Sequence, residues 1–112
     1  MTKIEEVIQT IKDITDRYGL KLLDLDHTDI TLISRIGFSY DIFIQIYANE
    51  TKEKLNMALV VAAERMYGVD KEGGFYHEHP FENPLLHIDT KPMDIEDFII
   101  KSLEILKKID LF

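Results

Sequence analysis

The sequence predicts a single α+β domain, a mostly antiparallel sheet with an N-terminal and a C-terminal helix packed on it. Three observations predict this class. Apolar residues recur at helical spacing near both ends of the chain. They alternate with period two through the middle, in segments rich in β-branched and aromatic residues. The links between those segments are too short for parallel crossovers. With 112 residues, 46% of them apolar and 30% charged, the chain has the length and composition of one globular domain, residues 1–112.

Residues 2–18 read as the first helix, with Ile4, Val7, Ile8, Ile11, Ile14 and Tyr18 on one stripe. Thr2 and Glu5 have the spacing of a capping box, and Gly19 supplies a left-handed stop. From residue 20 to 49 the period is two. Ile30, Leu32 and Ile36 alternate with Thr31 and Arg35, and Tyr40, Ile42, Ile44, Ile46 and Ala48 with Asp41, Phe43, Gln45, Tyr47 and Asn49. Gly37 marks the break between the second and third strands. Residues 49–53 form a polar turn.

Residues 54–67 fit two patterns. A helix would present Leu55, Ala58, Leu59, Ala62 and Met66, with Gly68 as its stop; a strand would present Leu55, Met57, Leu59, Val61 and Ala63. The Val60-Val61 pair and the preceding turn select strand, in two pieces meeting near Ala63-Glu64. Gly73-Gly74 then forms a turn and residues 75–79 a short strand. Pro80 and Pro84 make the next stretch a loop, and residues 85–89 return at a sheet edge. Asp94 caps a final helix through Ile109, with Ile95, Phe98, Ile99, Leu103 and Leu106 inward. The two helices are expected to cover one sheet face and leave the other partly open.

The totals exclude several classes of function. A net charge of −8 disfavours broad electrostatic binding of nucleic acid. The absence of cysteine removes disulfides, thiolate metal sites and a cysteine nucleophile. The longest apolar run, residues 57–63, is seven residues, against ~20 for a membrane span. With acids at Glu5 and Glu6 and no leader-like apolar stretch, a cytoplasmic location away from membranes is expected. No glycine-rich phosphate loop is present, and Ser34, Ser39 and Ser102 lack a nucleophile's setting.

The chemistry concentrates between Asp70 and His87, which holds three of the four histidines. On a strand, His77 and His79 point to one face with Cα atoms roughly 6.6 Å apart. Three readings stand. The pair could bind a divalent metal, with His87, Glu82 or Asp70 completing the ligands. One lysine against five acids from Asp70 to Asp89 favours a cation there. Alternatively, His77 and His79 are a metal-free catalytic acid–base pair, with Arg65 or Lys71 to hold a phosphate. In the third reading they are surface strand residues beside a tight turn.

The same segment resembles the TumE-type toxins of toxin–antitoxin pairs. The matching residues are Arg65, Tyr67, Asp70, His77, His79 and Pro80, followed by the helix from Asp94. The resemblance covers roughly residues 40–108. It implies a toxin acting on RNA or translation and neutralised by a DNA-binding antitoxin protein. The family's histidine stretch is richer and more basic, Glu78 separates the two histidines here, and the first helix is additional. Open sheet edges and the apolar residues of the segment 109–112 also predict a homodimer, through an edge or the uncovered face. An antitoxin would compete for the same surface.

Overall fold

The computed structural model describes residues 3–111. Helix α1 (Ile4–Arg17) is followed by β1 (Lys21–His27), β2 (Thr31–Ser39), β3 (Ile42–Asn49), β4 (Lys54–Val61), β5 (Glu64–Glu72), β6 (Phe75–His79) and β7 (Ile88–Thr90), then by α2 (Ile95–Lys108). The strands form one sheet in chain order, each antiparallel to the next. This is the predicted class. Short connections leave each strand no neighbour but the next one, so the sheet is a continuous meander.

Both helices end on the expected signals. Gly19, at φ +65°, lets the Leu20 amide reach the Thr15 carbonyl at 3.0 Å, closing a Schellman turn. The Asp94 side chain accepts from the Asp97 amide at 2.8 Å and caps α2. Lys3 occupies the N-cap of α1 without a side-chain hydrogen bond; the capping role of Thr2 lies outside the described residues.

Alternation sorts the sheet into two faces. Leu32 and Ile36 of β2, Ile44, Ile46 and Ala48 of β3, Met57 and Leu59 of β4, and Tyr67 and Val69 of β5 are buried. They pack against Ile4, Val7, Ile11 and Ile14 of α1 and Phe98, Ile99, Ile105 and Leu106 of α2. The Tyr67 and Phe98 rings stack 5.1 Å apart, fixing α2 to β5. Arg17 and Tyr18 both hydrogen-bond the Glu96 carboxylate, at 2.8 Å in each case, and join the end of α1 to the start of α2. The opposite sheet face carries Arg35, Gln45, Tyr47, Asn56, Asp70 and His77, and no helix covers it among the described residues.

Residues 54–67 are the two strands expected of them, and the turn between them is Ala62-Ala63, both at positive φ, 50° and 67°. One boundary differs. The break between β2 and β3 falls at Tyr40-Asp41, and Gly37 lies inside β2. Gly37 sits at a bulge with φ +148°, and a Cβ there would stand 3.0 Å from both the Ile42 carbonyl oxygen and the Phe43 Cα. It is glycine because the bulged strand approaches its neighbour too closely for a side chain.

Candidate functional site

The site lies on the open face, at the β5–β6–β7 end of the sheet. Its placement follows from register. Asp70 of β5 pairs with His77 of β6, Gly68 with His79, and His77 in turn with Asp89 of β7. Directly paired residues share a face, so Asp70, His77, His79 and Asp89 all point the same way. Glu78, between the histidines, pairs with Val69 and points to the helix side, where its carboxylate accepts from the Tyr67 hydroxyl at 3.2 Å.

A bulge adds Arg65. Leu59 pairs with Tyr67 and Val60 with Arg65, which leaves Met66 as an extra residue in β5. In a regular strand residues 65 and 67 would share a face. The bulge breaks that alternation. It sends Tyr67 into the core and Arg65 onto the open face, where its Nη2 stands 3.4 Å from His79 Nδ1.

His79 is 9% exposed and bonded on both sides. A guanidinium only donates, so the Arg65 contact makes Nδ1 the acceptor and leaves the ring proton on Nε2. That proton faces Asp70 Oδ2 at 3.2 Å. Both ring nitrogens of His79 are therefore engaged, and neither is free for a ligand or a substrate proton.

His77 is bound differently. Its Nε2 lies 3.3 Å from Asp89 Oδ1, and Asp89 is 96% exposed. The two groups form an ion pair when the His77 ring is protonated on both nitrogens. The loop from Pro80 makes two tight turns, with Asn83 N–H donating to the Pro80 carbonyl and Leu86 N–H to that of Asn83. It brings His87 back over β6. The His87 ring stacks on His79 with centroids 4.8 Å apart and lies 4.4 Å from His77. His87 is itself exposed.

Of the expected site residues, His77, His79, His87 and Asp70 come together. Glu82 does not join them. It lines a cavity of about 150 Å³ on the helix side, with Tyr67, Glu78, Phe81 and Lys101. There, burial and the nearby Glu78 carboxylate push the Tyr67 phenol well above its ordinary pKa. Among the described residues no group of three or more histidine, aspartate or glutamate side chains is arranged to hold a metal ion. Of the five residues expected as metal ligands, His79 is engaged on both ring nitrogens and Glu82 lies on the helix side.

Asp89 and Gly68 are the residues that sequence reasoning did not single out. Asp89 was legible only through the register of a hairpin whose loop is eight residues long. Gly68 looked like a helix stop, and is instead the floor beneath Arg65 and His79. The chain matches no family model, no curated protein and no solved structure. Among the described residues no helix is long and apolar enough to cross a membrane.

Proposed function

We propose that the histidine cluster is a metal-free acid–base site that cleaves RNA. The observation that carries this reading is the His77–Asp89 pair at 3.3 Å with a second imidazole, His87, 4.4 Å away. The Asp89 carboxylate stands beside the His77 ring, where it stabilises the imidazolium that forms when His77 takes a proton. His77 is the base that removes the proton of a ribose 2′-hydroxyl. The 2′-oxygen then bonds to phosphorus as the bond to the 5′-oxygen breaks. His87, entering as imidazolium, gives its proton to that leaving oxygen. The products are a 2′,3′-cyclic phosphate and a 5′-hydroxyl end.

His79 is a positioning residue in this scheme, because both its nitrogens are engaged and its ring supports His87 from below. Arg65 spends one of its N–H groups on His79 and keeps the others for phosphate oxygens. Since the rings are in contact, the phosphate would sit on their solvent side. A net charge of −8 gives RNA no long-range attraction, so affinity rests on these local contacts and responds weakly to salt. The resemblance to TumE-type toxins supports the same chemistry and brings with it an antitoxin partner, which coexpression with the neighbouring reading frame would reveal.

The test is cleavage of a labelled RNA oligonucleotide in the presence of a chelator. Cyclic-phosphate products are expected, with a bell-shaped pH profile, since one imidazole must be neutral and the other protonated. His77→Ala or His87→Ala should each lower kcat by about 10²–10⁴-fold, the range of a lost acid or base. Activity that requires an added metal, or that survives both substitutions, overturns the proposal. So does a folded wild-type protein that cleaves no RNA.

A further inference from the structure

The two outer edges of the sheet are built differently. The β1 edge is blunted. Leu23 is bulged out of register, the Tyr40 hydroxyl donates to its carbonyl at 3.0 Å, and Lys21, Asp24 and Asp26 place charges along the strand. Among the described residues the β7 edge has no such bulge or cover. One side of Ile88–Thr90 pairs with β6, and among the described residues no strand pairs with the other. Apolar side chains stand around it in solvent: Leu85 at 92% exposure and Leu86 just before it, Ile88 within it, and Phe75, 75% exposed, beside its far end. An unpaired strand flanked by exposed apolar residues is a surface for pairing.

We propose that a second copy of this chain pairs antiparallel along β7, with Ile88 on the two-fold axis. Symmetry restricts the register, because a closed pair of identical strands must place one position opposite itself. With Asp89 on the axis, two carboxylates would stand directly opposite each other, which is destabilising. One residue earlier, Ile88 meets its own copy, and Asp89 of each chain faces the partner's His87. Two carboxylate–imidazole pairs then flank an apolar contact, and Leu86 falls opposite Thr90.

This arrangement changes the site as well as the mass. Asp89 already holds His77 at 3.3 Å. In the pair it lies between that ring and an imidazole of the other copy. The two histidine clusters become one continuous strip on the open face of a shared sheet, and each is bordered by a residue of the other chain. The pairing goes beyond the reading of the cluster as a nuclease and does not depend on it.

Single-cysteine chemistry tests the register, because the natural chain has no cysteine. Light scattering of the full chain at micromolar concentration should give twice the 13.1 kDa chain mass. Under oxidation, Ile88→Cys should form a covalent dimer on a non-reducing gel, whereas Asp89→Cys and Thr90→Cys should not. His87→Asp, which sets carboxylates opposite each other, should weaken the dimer at least tenfold. Adding Asp89→His to that variant should restore it. A species of the chain mass alone overturns the proposal. So does a dimer that cross-links through Asp89→Cys, or one indifferent to His87→Asp. These readouts are masses, so the pairing can fail while RNA cleavage stands, and cleavage can fail while the pairing stands.

Discussion

A Cβ built on Gly68 would stand 3.3 Å from both Arg65 Cδ and the Met57 carbonyl oxygen, and 3.7 Å from His79 Cδ2. Glycine here supplies room, since β5 must let an arginine fold down over its own backbone to reach His79. The backbone oxygen cannot yield as a side chain can, so an added methyl is expected to displace Arg65. Gly68→Ala should cost about 1–3 kcal/mol, the range for overpacking. It should also shift the His79 ring resonances in an NMR spectrum and lower RNA cleavage several-fold. Unchanged His79 resonances would show that the close approach does not position the ring. At this scale the His-x-His pair, Asp70 and Arg65 were visible in the sequence as candidates. Their roles were not, because the engagement of both His79 nitrogens depends on two residues from another strand.

The β4–β5 hairpin shows why one element was hard to read. Two-residue hairpin turns favour positive φ at both positions, which Asn-Gly supplies at little cost. Here the positions are Ala62 and Ala63, at 50° and 67°. Alanine resists that conformation by about 1–2 kcal/mol per residue, and it is also the best helix former. The local signal therefore points toward helix while the tertiary structure makes a turn. Strand pairing wins because β4 lies between β3 and β5 and buries Met57 and Leu59 against the helices. Replacing the turn by Ala62→Asn with Ala63→Gly should remove this conflict and raise stability by about 1–2 kcal/mol, measured by urea unfolding. No gain would mean that the neighbouring turn already holds the hairpin, through the Ala62 amide bonded to the Asp41 carbonyl at 2.9 Å.

For the whole molecule, the joint between the helices contributes to stability in a pH-dependent way. Hydrogen bonds from Arg17 first, and Tyr18 second, hold the Glu96 carboxyl below its ordinary pKa. A lowered pKa in the folded state gives stability that is fully present above about pH 4 and is lost as pH falls through the folded-state value. The alkaline limit has the opposite sign. Burial and the Glu78 charge raise the Tyr67 pKa, so that contribution is whole below about pH 10 and is lost above it. Urea midpoints measured across this range should fall at both ends. Glu96→Gln should flatten the acid limb and Tyr67→Phe the alkaline one. A variant that leaves its limb unchanged would free that group from the assignment.

The sequence by itself determined the class of fold, both helices, a mostly antiparallel run of strands between them and the segment that carries the histidines. Those features are written in periods of 3.6 and two, in caps and in turn residues, all of which act over a few neighbouring positions. Tertiary structure alone decided which side chains meet. The Met66 bulge turns Arg65 to the open face, the hairpin register sets Asp89 beside His77, and the loop from Pro80 lays His87 on His79 while leaving Glu82 on the far side. Each of these depends on strand register. A shift of one residue exchanges the two faces of a strand, and register is fixed by the packing of the whole sheet against its helices.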